Sequence, residues 1–160
     1  MRTFYITCCV LLIVAVSVAE NAPRSIRRSI TVVSSQEAKG HVEADRLAEC
    51  IWLLMRDQGL QREALPPILV VHVSKAEAEA LGIGKRASVH FDKAERASQD
   101  FYQVWLVDHA TLTESALAFQ TVLQHRFALQ KSGTDQRLLA DRVSRVVESK
   151  ISVRELAGKR

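Results

Sequence analysis

Residues 111–133, TLTESALAFQTVLQHRFALQKSG, constrain the fold more than any other part of the chain. Thr111 stands three residues before Glu114, which is the pattern of a capping box at the start of a helix. Gly133 is a favoured residue just past a helix end. The apolar positions between them follow helical spacing: Leu112, Ala116, Phe119, Leu123 and Phe127. The segment predicts a buried helix, and the rest of the chain must supply the surface that it packs against.

Apolar runs upstream of this helix predict a small β-sheet. Residues 68–73, ILVVHV, are a β-branched run bounded by turn signals, and residues 101–107, FYQVWLV, are rich in aromatic and β-branched side chains. Residues 87–91 alternate like a half-buried strand. Residues 30–33, ITVV, either add a short strand or pack against the following helix.

Apolar spacing and cap residues predict further helices over residues 35–58, 75–81 and 135–156. Gly59 ends the first of these, and Ser74 with Glu77 forms a second capping box. Strands and helices that are segregated in this way indicate an α+β fold, with a small three- to four-stranded sheet packed against about three main helices.

The N-terminus has the features of an export signal. Met1 and Arg2 precede the apolar run 4–18, and Ser17 and Ala19 are small residues at the positions that a signal peptidase reads. We expect residues 1–19 to be a signal peptide, residues 20–34 a flexible leader and residues 35–160 a single domain. The protein would then be secreted or periplasmic. If residues 1–19 are retained instead, they form a membrane anchor, which the three following arginines would suit.

Charge and cysteine content narrow the functional classes. The formal net charge is +4, and removing residues 1–19 takes away only Arg2, so the charge is too mild to indicate nucleic-acid binding. Cys8 and Cys9 leave with the signal peptide, and Cys50 then remains alone. The mature chain has no internal disulfide, and Cys50 is interpreted as a core residue because it lies deep in a predicted helix.

The predicted central helix carries His125 within the sequence VLQHRFALQ, directly after an aromatic strand and a short polar turn. This order resembles the minimal zincin-like metallopeptidase domain, in which a strand precedes a helix bearing H-E-x-x-H. The resemblance places His125 at the first histidine position, Arg126 at the glutamate position and Leu129 at the second histidine position. Arginine cannot accept a proton from water and leucine cannot ligate zinc. The resemblance thus implies an inactive relative in which His125, Arg126 and Leu129 are vestiges of a site; His125 as an ordinary helical histidine is the other interpretation.

Two functional hypotheses follow. The first is an exported, non-catalytic binding or interaction protein whose partner is an unknown protein or small ligand, without a cofactor, metal site or catalytic residues of its own. The second is an active metal-dependent hydrolase with a non-standard site assembled from the scattered histidines His72, His90, His109 and His125. Stoichiometric zinc in the purified mature protein would distinguish the second hypothesis from the first.

Overall fold

The computed structural model describes residues 21–84, 87–91, 102–129 and 136–157. The elements in chain order are α1 (Arg24–Ser29), β1 (Ile30–Ser34), α2 (Ala44–Asp57), β2 (Ile68–Val73), α3 (Lys75–Ala80), β3 (Ala87–Phe91), β4 (Tyr102–Val107), α4 (Leu112–Arg126) and α5 (Gln136–Ala157). Within these ranges, one four-stranded sheet packs against the three long helices α2, α4 and α5. The predicted α+β fold class is therefore confirmed. Within these ranges no helix combines the length and the apolar character that crossing a membrane requires.

The sheet has the strand order β1-β2-β4-β3. β2 pairs in parallel with β1 on one side and with β4 on the other, whereas β3 pairs antiparallel with β4. Parallel pairing places the carboxyl ends of β1, β2 and β4 at the same edge of the sheet. In the register, Ser34 lies opposite His72, and His72 lies opposite Leu106.

The core lies between the sheet and the long helices. Alternate residues of a strand share one face, and on this face Val70 and Val104 are fully buried against α2 and α4. On the opposite face, Val73 and Val107 pack against Ala78 of the short helix α3. Both faces of β2 and β4 are covered at the carboxyl end, which explains why their sequences read as continuous apolar runs.

Helix starts agree with the sequence wherever a capping box was predicted. The Ser74 side chain accepts a hydrogen bond from the Glu77 backbone N–H, and the Glu77 carboxylate accepts one from the Ser74 N–H. Thr111 and Glu114 do the same at the start of α4. Both predicted capping boxes are confirmed.

Two predicted helix boundaries differ from the structure. The first long helix begins at Ala44 instead of residue 35, because Gly40 adopts φ +94° and interrupts any helix there. The central helix ends at Arg126, where Phe127 leaves helical geometry and Ala128 adopts φ +49°. The predicted stop at Gly133 and the predicted start at Asp135 lie outside the described residues.

The expected flexible leader over residues 20–34 contains regular structure from Arg24 onward. It forms helix α1 and then β1, which is an edge strand of the sheet. Ile26 and Ile30 are buried in the main core, whereas Thr31 and Val33 are exposed. The leader is therefore part of the domain because two of its apolar side chains complete the core.

A buried carboxylate fixes this N-terminal segment to the helices. Glu49 of α2 is 4% exposed, and its Oε1 accepts a 2.9 Å hydrogen bond from the Ala22 backbone N–H. A guanidinium nitrogen of Arg27 lies 3.5 Å from Oε1, and Lys150 Nζ of α5 lies 3.3 Å from Oε2. We call Glu49, Ala22, Arg27 and Lys150 the Glu49 clasp. It links α1, α2 and α5.

Replacing Glu49 by alanine should destabilise the fold by about 3 kcal/mol, because removing one partner of a buried ion pair leaves the remaining charges without their compensation. The free energy of unfolding in urea measures the loss. Glu148→Ala is the matched control, since Glu148 is exposed on a helix, and it should change stability by less than about 0.5 kcal/mol. Equal effects of the two substitutions would contradict a structural role for the clasp.

Candidate functional site

The histidine singled out by the sequence lies at the amino end of β4. His125 is exposed in the last turn of α4, and its Nδ1 lies 3.0 Å from the hydroxyl oxygen of the buried Tyr102. The two rings meet edge to face with centroids 5.7 Å apart. Arg126 is exposed, and Leu129 lies beyond the end of the helix. The i, i+4 relation that places residues 125 and 129 on one helical face therefore does not hold here.

By backbone position the four scattered histidines fall at two ends of β4, with His72 and His109 near its carboxyl end and His90 and His125 near its amino end. β4 lies between β2, which carries His72, and β3, which carries His90. By register His72 stands opposite Leu106 near the carboxyl end of β4, whereas His90 stands opposite Gln103 at its amino end. Across the described ranges, no group of three or more histidine, cysteine or acidic residues is placed to hold a metal ion.

Polar side chains converge instead at the carboxyl ends of the three parallel strands. Ser34 ends β1, His72 is the penultimate residue of β2, and Asp108 directly follows β4. Ser34 Oγ lies 3.4 Å from His72 Nδ1, and Asp108 Oδ1 lies 3.7 Å from His72 Nε2. We call these three residues the carboxyl-edge cluster.

Strand alternation explains why the three side chains share one face of the sheet. Ser34 follows the positions of Ile30 and Val32, while His72 follows those of Ile68 and Val70. Burial falls along this face of β1, from Ile30 at 5% exposed to the exposed Ser34. His72 is only 2% exposed. The cluster therefore opens to solvent at Ser34 and is closed behind it at His72.

Asp108 faces the Nε2 side of the His72 ring, with Oδ1 3.7 Å from Nε2. The Lys39 backbone N–H donates a 2.6 Å hydrogen bond to Asp108 Oδ1, which holds the carboxylate in place from the loop after β1. A carboxylate at this position is matched best by a ring that carries a proton on Nε2. In the tautomer with that proton and an unprotonated Nδ1, Nδ1 accepts a hydrogen bond from the Ser34 hydroxyl; in the other tautomer Nδ1 donates to Ser34 Oγ.

The chain around the cluster is held by short hydrogen bonds. The Ser35 N–H donates to the His72 carbonyl oxygen at 2.8 Å, and the Ser35 hydroxyl donates to Glu77 Oε2 at 2.5 Å. The same carboxyl oxygen accepts a 2.7 Å bond from the Ser74 N–H. These bonds from Ser35 and Ser74 hold the pKa of Glu77 below its usual value. They tie the loop after β1 to the start of α3.

The turn after Asp108 adopts a backbone conformation that is uncommon for its residue type. His109 has φ +62°, in the left-handed region that residues other than glycine seldom occupy. The Asp108 N–H donates to the Val73 carbonyl at 3.0 Å, and the Ala110 N–H donates to the Val107 carbonyl at 2.9 Å. The second bond closes a tight turn, and the first ties Asp108 to the end of the neighbouring strand β2.

Cys50 has no part in this site. It is fully buried in α2, and burial raises the pKa of its thiol to about 12. A thiol in this environment is protonated at neutral pH and does not act as a nucleophile. The prediction that Cys50 is a core residue is confirmed.

Sequence reasoning missed Ser34 and Asp108. Ser34 stands at the end of the expected leader, and Asp108 is not among the predicted candidate residues. The sequence does contain one signal: in the segments VVS, VVH and WLVD, consecutive apolar residues are followed by a polar one, which is Ser34, His72 or Asp108. The signal becomes informative only when the strands are known to be parallel, because then these residues meet at one edge.

Comparison with protein-family models, with curated protein sequences and with solved structures gave no match.

The lowered pKa of Glu77 makes stability depend on acid. A group with a depressed native pKa stabilises the fold above its unfolded pKa, and this contribution is lost as pH falls through the native pKa. Wild type should therefore be more stable than Glu77→Gln at neutral pH, and the difference should shrink on acidification. Urea unfolding of both proteins at neutral pH and at successively lower pH measures this difference in stability. The control is Glu79→Gln, because Glu79 lies on the same helix with an exposed side chain. A difference in stability between wild type and Glu77→Gln that stays constant with pH would contradict the prediction.

Proposed function

We propose that this chain is an exported binding protein that recognises a small neutral or cationic ligand at the carboxyl-edge cluster. The observation that carries the proposal is the convergence of Ser34, His72 and Asp108 from three parallel strands. Export is proposed from the apolar run 4–18 and the small residues that follow it. The zincin-like resemblance stays a prediction, based on the order of β4 and α4 and on His125.

The place of the cluster in the fold supports binding there. In open α/β sheets, ligands commonly bind outside the carboxyl ends of the parallel strands. Two loops border this edge, one after β1 that contributes the Lys39 N–H and one after β4 that contributes Asp108 and His109. Ligand sites need few, well-placed polar groups. Ser34 supplies an exposed hydroxyl, and the buried ring of His72 fixes the orientation of that hydroxyl.

Charge decides which ligands the site favours. Asp108 presents a carboxylate within the cluster, and Glu77 presents a second one to Ser35, the residue next to Ser34. A negative charge on a ligand would be repelled by these carboxylates, and the repulsion between like charges is stronger where water is excluded. An anionic ligand would be disfavoured, whereas a neutral carbonyl could accept a hydrogen bond from the Ser34 hydroxyl. A cation would gain from the two carboxylates.

The pair acetamide and acetate tests this proposal, because the two molecules have the same shape and differ in charge. Titration of ¹⁵N-labelled protein should shift the backbone amide signals of Ser34, Ser35 and Asp108 with acetamide. Acetate should bind about tenfold more weakly, which corresponds to ~1.4 kcal/mol. Ser34→Ala should weaken the acetamide response because it removes the hydroxyl donor.

Ser149→Ala is the matched control, since Ser149 is an exposed serine on α5, and it should leave the acetamide titration unchanged. Shifts that map away from the carboxyl edge, or equal binding of acetamide and acetate, would contradict the proposal.

A further inference from the structure

We infer that Ser34 is a nucleophile for carboxylic esters, with His72 as its general base and Asp108 as the residue that positions His72. The inference rests on the proposed binding site and adds a covalent step to it. It combines three observations: the contacts on both ring nitrogens of His72, the gradient of burial across the cluster, and the anchoring of Asp108 by the backbone.

The contact between Ser34 and His72 joins the two atoms that general-base catalysis uses, with Nδ1 as acceptor in the tautomer protonated on Nε2. A serine hydroxyl becomes nucleophilic when an adjacent base accepts its proton. Ser34 Oγ is 3.4 Å from His72 Nδ1, which lies within the range of such pairs before substrate binds, when their hydrogen bonds are often long. The two residues are register partners on neighbouring strands, so the sheet itself sets their separation.

Asp108 supplies the third member of the arrangement. Its Oδ1 lies 3.7 Å from Nε2, on the side of the ring away from Ser34. The Asp108 side chain is 10% exposed and receives the Lys39 N–H, so it is held in place by the backbone. Its charge stabilises the imidazolium that forms when His72 takes the proton. Asp108 acts on the reaction through His72 and is therefore a positioning residue.

Burial increases from the nucleophile to the base. Ser34 is exposed and can meet a substrate from solvent, while His72 is 2% exposed. Nucleophile, base and orienting carboxylate are the roles by which such arrangements are recognised, independent of fold and chain order. Here the ring is used in the reverse sense of the serine-protease triad, with Ser34 at Nδ1 and Asp108 at Nε2.

The proposed reaction balances as follows. Ser34 Oγ attacks the ester carbonyl carbon while its proton passes to His72 Nδ1. The bond between carbonyl carbon and alcohol oxygen breaks, the alcohol leaves with the proton from Nδ1, and an acyl group remains on Ser34. A water molecule then attacks the acyl carbon and gives a proton to His72, which returns it to Ser34 Oγ as the carboxylic acid leaves.

Esters fit the charge of the site. The substrate is neutral and can approach Asp108 and Glu77, whereas the ionised product acid is repelled by both carboxylates. Esters of good leaving groups need the least assistance at the departing oxygen, so we assign the activity to activated carboxylic esters.

A fluorophosphonate probe tests the inference directly, because it reacts with activated serines through the same attack. Intact mass and peptide mapping of the full chain should show one probe on Ser34, and Ser34→Ala should abolish it. His72→Gln should slow labelling about 100-fold, the low end of what a general base contributes. Asp108→Asn should also slow it and alter its dependence on pH. Ser149→Ala should label like wild type.

p-Nitrophenyl acetate hydrolysis provides the second readout, and its rate should fall in parallel with labelling in each variant. Circular dichroism identifies any variant that fails to fold. If His72→Gln fails to fold, Ser34→Ala, which changes an exposed position, still tests the inference. Labelling away from Ser34, or labelling at an unchanged rate in folded His72→Gln, overturns the inference. If acetamide still binds at the carboxyl edge in that event, the proposed binding function stands; if acetamide does not bind, it falls as well.

Discussion

The parallel pairing of β2 with both β1 and β4 is the constraint on which the rest of the structure depends. It brings three strand ends to one edge and three polar side chains to one face of the sheet. If β1 ran in the opposite direction, Ser34 would lie at the other end of the sheet, far from His72. The same pairing makes β2 the central strand of the parallel set, so that its histidine is buried between a serine on one neighbour and an aspartate on the other.

The position of β1 depends in turn on contacts made far from the strand ends. β1 is an edge strand with one neighbour, and only Ile30 among its residues is fully buried. The preceding helix α1 supplies the missing attachment through Ile26 in the core and through the Glu49 clasp. Lys150 joins the same carboxylate from α5. Through these contacts, the helical layer that stabilises the domain also sets where Ser34 stands.

Local chemistry in the sequence predicted much of the fold and little of the site. The β-branched run 68–73 and the capping boxes at Ser74 and Thr111 are short-range signals, and each was confirmed. Strand order and direction are set by long-range pairing, which a single sequence does not encode in a readable pattern. β1 was harder to recognise because Thr31 and Val33 are exposed and blur its apolar pattern. His125 was singled out because it fits the first position of an H-E-x-x-H motif. His72 meets Ser34 and Asp108 only when three strands are aligned, which the sequence does not reveal.

The protonation pattern of His72 tests the central claim most directly, because it reports whether Asp108 and Ser34 act on the ring together. Long-range ¹H–¹⁵N correlation spectra of the neutral imidazole distinguish a protonated from an unprotonated ring nitrogen. The arrangement predicts a proton on Nε2, facing Asp108, and an unprotonated Nδ1 that accepts from Ser34. Asp108→Asn should weaken this preference. A proton on Nδ1, or rapid averaging of the two forms as in a histidine exposed to water, would contradict the account.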